Sequence, residues 1–516
     1  MHRSTLYRLG LGLGTCAGLA GLVLSAGADP LPHLTPTSPT GVYAEGASLA
    51  NGRLVKPVGR RTTTGDFPVA LVVSPDGRTG VLAESGQGQG ATEQSDEGLE
   101  VVDLASGKVV QTVRDHEKDQ PTFYNAGLSF SRDGGHLYAT GGGNDQVYDY
   151  AVSGQHLRLV HRFKSSLRTG APTVPGTANG GIPGSAPTVG DVARFSKGVA
   201  ALPDGSAVVV TNEQGSTVAA LSTKDGSLLW ETPVGGAGQA GGAYPGAVVV
   251  RPGGQTAYVA AQGLNAVLTL DTATGALLAT TPVGDHPTAL ALTGGGSDLL
   301  VANSNDDSLS VLDTSSPVPT SVRQLSTHLV AGEANGSTPN GVAVDDRHGR
   351  VYVTMAGDDA VAVFDTDVRG PKRYDPASLR YAGAVPAGFF PSAVATRRDG
   401  TVLVASSKGL GGAPITDRDQ YIVNKRSGLL QTLPRPTGGT LDRYTRDARA
   451  YLTRPATLNS RRPADSPIPT VAHRGESPIK HVVMVVRENR TFDQVFGDLT
   501  RKDADVEPAY TAFGAK

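Results

Sequence analysis

The sequence has 516 residues, 38% apolar and 18% charged, and its 67 glycines and 34 prolines make up about a fifth of the chain. So much Gly and Pro excludes a coiled coil, the absence of a three-residue glycine period excludes collagen, and short Val, Leu and Ala runs exclude wholesale disorder. With 46 basic against 48 acidic side chains, no global field draws the chain to nucleic acid or anionic lipid, and neither is expected as a partner.

The first element in chain order reads as an export signal. His2, Arg3 and Arg8 precede an apolar run over residues 9–24, and Ala26-Gly27-Ala28 supplies a small-x-small cleavage site, so residues 1–28 are expected to be removed. The run is shorter and richer in glycine than a membrane span of about 20 apolar residues. The mature chain is therefore expected to lack an integral span and to be secreted or held in the periplasm or cell envelope. Cys16, the only cysteine, lies inside the signal, which excludes thiol catalysis, disulfides and Cys-zinc sites in the mature protein. Residues 29–44 read as a linker.

Residues 45–412 repeat one pattern: an alternating apolar strand, a turn ending in Gly, a second apolar strand, a third strand ending in Asp, and a fourth. The clearest copy begins at Pro245, turns at Pro252-Gly253-Gly254, ends its third strand at Asp271 and turns again at Thr274-Gly275. Period-two alternation with Asp and Gly punctuation predicts an antiparallel meander. Equivalent starts fall at Pro68, Asn125, Ser196, Pro245, Pro287, Pro339 and Pro391, and most intervals match the ~40–50 residues of a propeller blade. Asp103, Asp149, Asp271, Asp313 and Asp365 are aligned as the strand-end Asp, with Ser222 standing in once. Residues 164–195, rich in Gly, Pro, Ser and Thr, read as an insertion.

The predicted fold is all-β, a seven-bladed β-propeller. Its last copy dissolves after Ser406, whereas residues 50–59 read like the end of a blade. An N-terminal strand at residues 54–58 is therefore expected to close the ring on the blade containing residues 402–405, leaving no open sheet edge. Trp230 is expected to pack between blades, and His156 and His161 to lie on an exposed strand. The strings Val351-Tyr352-Val353-Thr354-Met355 and Ala360-Val361-Ala362-Val363-Phe364-Asp365, with residues 267–284, resemble the bacterial YVTN-repeat β-propellers. That resemblance implies the fold and leaves the chemistry open.

Residues 413–478 read as a connector with one helix, its face made by Leu441, Tyr444, Thr445, Ala448, Tyr451 and Leu452 and its cap by Thr440. Residues 479–486 form a continuous apolar run of the kind expected for a strand buried on both faces of a parallel sheet. Glu488 and Asn489 follow it, at the strand end where α/β sheets carry their sites, and offer the hard oxygen ligands that divalent cations take.

Residues 479–498 resemble the opening of the phosphoesterase family that includes phospholipase C and acid phosphatases, within the alkaline phosphatase superfamily. The resemblance implies hydrolysis of phosphate esters with a divalent metal ion as cofactor, with Glu488 and Asn489 among its ligands. Residues 479–516 are then a short α/β segment, the truncated start of that domain. The nucleophile and later ligands are expected beyond Lys516, so no catalytic residue is expected in this chain.

Three functions follow. The first is a binding or scaffold module of a metal-dependent phosphoesterase, with an unidentified ligand on the propeller face. The second is a stand-alone extracytoplasmic binding propeller. The third is a propeller enzyme of lactonase or quinoprotein type, disfavoured by inner strands made of Ala, Val, Gly and Ser.

Overall fold

The computed structural model describes residues 33–35, 41–49, 52–86, 98–114, 127–166, 194–235, 242–330, 335–366, 376–411, 427–452, 478–484, 495–496, 498 and 500. The signal at residues 1–28, Asn125, most of residues 164–195, and Glu488 and Asn489 lie outside them. The chain divides into two compact units, Met1–Arg454 and Pro455–Lys516.

In the first unit seven four-stranded antiparallel sheets follow one another, each ordered from an inner strand A to an outer strand D. The inner strands are Pro68–Val73, Leu128–Phe130, Ser196–Ala201, Pro245–Val250, Pro287–Leu292, Pro339–Asp345 and Pro391–Thr396. Each touches the next, and the last touches the first, so the sheets form a closed ring of seven blades, as the repeats predict. Val, Leu, Ala and Tyr from facing sheets fill the seams; one seam joins Val81, Leu99 and Val101 of blade 1 to Leu137, Tyr148 and Tyr150 of blade 2. Burying both faces of each sheet is what makes the apolar alternation of this sequence stable in water.

Closure comes from the N-terminal side, but not from residues 54–58. Strand D of blade 7 is Arg60–Thr63, which pairs antiparallel with Leu429–Leu433 as strand C. Leu54–Val55 instead completes a small separate sheet with Gly41–Val42 and Ala47–Ser48. The physical reason lies in contacts that strand alternation does not display. Arg60 donates to the carbonyls of Leu104 and Ala105 at 2.6 and 2.7 Å, and the Thr62 hydroxyl donates to Gly107 at 2.8 Å, anchoring the closing strand to blade 1. Blade 7 thus takes one strand from the segment read as connector.

Similar anchors recur around the ring. The Trp230 indole donates to the Thr272 carbonyl at 2.8 Å and lies over Gly275, whose φ of +72° and missing Cβ leave room for the ring. Trp230 therefore packs between blades 3 and 4. Helix α1, Gly439–Leu452, lies on strand Arg380–Pro386 of blade 6. Leu441 and Ala448 are buried there, and the Ala384 amide donates to the Thr445 hydroxyl at 3.0 Å. Thr440 sits inside its first turn rather than capping it, because the helix already begins at Gly439.

In the second unit, residues 478–484 form no strand, and Val482, Val483 and Met484 are exposed. The sequence expectation of a strand buried on both faces fails over these residues, since such a strand needs neighbours on either side.

Deleting residues 60–63 should lower Tm by several degrees and promote aggregation on heating, because strand C of blade 7 becomes an open edge. A melting curve unchanged by the deletion would contradict closure by this strand.

Candidate binding face

The two ends of the ring differ. One carries the A–B and C–D hairpin turns, short and built on Asp or Ser side chains bonded to the turn backbone, as where Asp133 accepts from Ser131 and Gly135 at 2.6 and 3.0 Å. The other carries the B–C and D–A connections. Nearly all long connections leave from this second end: residues 87–97, 115–126, 167–193, 236–241, 331–334 and 412–426 each fall between strands that start or finish there. Long connections carried on a rigid scaffold are where proteins place recognition.

On this connection face one position repeats. The residue just before the inner strand has a left-handed backbone in six blades: Phe67, Phe195, Tyr244, His286, Thr338 and Phe390, with φ between 46° and 64°. A non-glycine residue seldom adopts this conformation, and in four of the six blades it is held from the blade before. Asp145 accepts the amides of Arg194 and Phe195 at 2.9 and 2.7 Å. Asn265 accepts His286 at 3.0 Å, Asp307 accepts Thr338 at 2.8 Å, and Asp359 accepts Phe390 at 3.0 Å. These acceptors sit in the B–C turns and are themselves left-handed. The six left-handed residues are half-buried, four of them aromatic, and form a collar where the inner strands begin.

Charge around the collar is paired. Lys197 binds Glu213, and His328 lies 3.2 Å from Asp307. Lys408 stands over the Phe390 and Phe389 rings at 4.4 and 5.1 Å, and Arg53 reaches within 3.9 Å of Asp359. Burial pushes the Asp145 carboxyl up from its ordinary range against the two amides that it accepts. For Asp307, burial acts in the same direction, but the amides of Gly336, Thr338 and Ser337 outweigh it and hold the carboxyl low. For Asp359, burial dominates the Phe390 amide and the Arg53 and Lys408 charges, and its carboxyl is pushed up to about 6.

The inner strands contain only two charged residues, Lys197 and Asp345, and both have partners, Glu213 and His348. They offer no converging acids or histidines for a propeller enzyme. Among the described residues no three His, Cys, Asp or Glu side chains come together to hold a metal ion. Glu488 and Asn489, the predicted metal ligands, lie outside the described residues. Asp149, aligned from the sequence with the strand-end Asp, is displaced by two residues: the position paired with the start of strand B is Ala151, and Asp149 lies deeper, opposite Tyr138. The collar was missed as well, although an aromatic residue or His before the repeat-start Pro at Phe67, Tyr244, His286 and Phe390 was its signal.

Because the folded Asp359 carboxyl titrates near 6 and an unfolded one near 3.8, its contribution to stability is complete below about 3.8 and is lost as pH rises through about 6. Asp359→Asn keeps an acceptor for the Phe390 amide, as Asn265 does for His286. The variant should match the parent at pH 4 and be more stable at pH 7.5 by up to about 3 kcal/mol, measured by urea unfolding. Equal stability at both pH values would remove the buried carboxylate from this account.

The comparisons agree with this architecture. The family model described as outer membrane protein assembly factor BamB matches residues 95–316 and 170–354, together just over half of the chain. No curated protein matches the sequence. The crystal structure of RRP9 WD40 repeats is 12% identical with a TM-score of 0.51, over 73% of this chain and 98% of that one. The structure of U3-55K is 12% identical with a TM-score of 0.50, over 72% and 98% of the two chains. A Kuenenia stuttgartiensis hydrazine synthase chain is 18% identical with a TM-score of 0.49, over 67% and 94%. The likeness to the RRP9 and U3-55K structures is one of fold, whereas the family match follows the blades themselves, and the chain belongs to the BamB-like family of β-propellers.

Proposed function

We propose that this protein is an extracytoplasmic binding propeller that presents its connection face to a protein partner. The collar carries the reading: six blades each hold a side chain in an uncommon backbone conformation, four of them aromatic, around one opening. Aromatic side chains on a rigid backbone supply large contact area at little conformational cost. The description of the matching family as an outer membrane assembly factor, and the signal-like start, support a place in the cell envelope. In the described residues no helix is long and apolar enough to cross a membrane. A photo-cross-linking amino acid at Phe390 should capture a discrete envelope protein, while the same probe at Asp76, on the hairpin-turn face, should not. Equal capture from both positions, or capture from Asp76 alone, would reject the face.

A second reading adds a role for the tail. The exposed apolar side chains of Val482, Val483 and Met484 and the phosphoesterase resemblance of residues 479–498 favour a propeller that serves as the binding module of a metal-dependent phosphoesterase. Glu488 and Asn489 would hold the divalent ion, which would polarise a phosphate ester. Two ligands do not fix a catalytic cation, so this chain should hydrolyse p-nitrophenyl phosphate at the background rate with Mg²⁺, Mn²⁺, Ca²⁺ or Zn²⁺. Turnover abolished by Glu488→Ala would show that the segment is active as it stands.

A further inference from the structure

Blade 2 breaks the repeat at one buried position. Where Asp149 stands, opposite Tyr138, the third residue of strand B, the other blades have Val101, Ala220, Thr269, Val311, Val363 and Thr432. The fold therefore needs no acid there, and burying a carboxylate is costly unless it is bonded. Asp149 is only 1% exposed, and its two oxygens face two histidines on the neighbouring strands. His136 Nδ1 lies 2.7 Å from one oxygen and His161 Nδ1 3.3 Å from the other.

A carboxylate on Nδ1 fixes the ring of His136 and leaves Nε2 as the ring nitrogen able to bond a ligand. His136 is half exposed and lines a cleft of about 500 Å³ between blades 2 and 3 on the hairpin-turn face. Arg132, Asp133, Tyr138, Asp204 and Thr223 line it too. Asp133 and Asp204 each spend one oxygen on their own turns through Oδ1, leaving Oδ2 toward solvent. The cleft thus offers carboxylate acceptors from Asp133 and Asp204, a planar donor in Arg132 and the ring nitrogen of His136.

Among the described residues no three His, Cys, Asp or Glu side chains come together to hold a metal ion, and Arg132 brings to this cleft a donor that a cation does not use. A ligand that satisfies the groups of the cleft must carry its own donors and acceptors spread over a body that fits the cleft. Hydroxyl groups on a ring do so, because each both donates and accepts. We propose that the cleft between blades 2 and 3 binds a sugar ring, with His136 and Arg132 in contact with hydroxyls and Asp149 acting as the residue that positions His136. The site is separate from the connection face and does not depend on the reading given to that face.

Saturation-transfer-difference NMR on the full chain with glucose, mannose and N-acetylglucosamine tests it. At least one sugar should give signal, and His136→Ala and Arg132→Ala should each weaken it at least ten-fold. Asp149→Val installs the residue of the sister blades, so the variant should melt close to the parent while also binding about ten-fold more weakly. A chemical-shift titration of the His136 ring should move with the sugar and not with Zn²⁺. No signal from any of the three sugars, a signal unchanged in His136→Ala, or saturable Zn²⁺ binding at His136 would overturn the proposal. If Asp149→Val fails to fold, the two surface variants still decide it.

Discussion

A four-stranded sheet with apolar side chains on both faces is unstable in water unless something covers each face, and in this protein the cover is always the next sheet. The ring is the only arrangement of such sheets that leaves none uncovered. The spacing of neighbours is then set by short polar links rather than by the apolar seam, which is non-directional. Asp145, Asn265, Asp307 and Asp359 grip the amides at the entrance of the following blade. Hydroxyls farther in do the same, Thr211 donating to Gly246 and Thr140 to Lys197, both at 2.7 Å.

This division of labour explains what could be read from the sequence. Strands B and C are mostly apolar and largely buried, and their Asp and Gly punctuation was enough to find the blades. Closure was legible in principle and misplaced in detail. Arg60–Thr63 has no apolar alternation, since an outer strand meets water and is held by side-chain links to blade 1, so the more apolar Leu54 and Val55 drew the assignment. Leu429–Leu433 was hidden because it follows a long stretch without pattern. Asp149 was aligned by residue type, and a carboxylate in a buried row looks, in sequence, like one at a turn two residues away.

The same ring separates two kinds of surface. The hairpin-turn end is nearly uniform, because all but the connection from Asp365 to Arg380 are short turns, many of them satisfied by their own Asp, Ser or Gly. Departures from uniformity there, such as the histidines around Asp149, stand out against six sister blades. The connection end is irregular by construction, and its common element is backbone conformation rather than residue type. A repeat protein supplies its own controls in this way, since each blade shows what the fold alone demands of a position.

The strand that completes blade 7 is made near the start of the chain and its partner near the end, so Thr62 and Leu430 must find each other across almost the whole propeller. Pairing over so long a loop is slow, and it comes after the intervening blades have formed from local contacts. Until then the molecule is an open arc with an exposed edge at each end. Mechanically the order reverses. A pull on the N-terminus loads the small sheet of residues 41–55 and then the closing strand, before any other blade, so the ring opens at the same seam where it was last sealed.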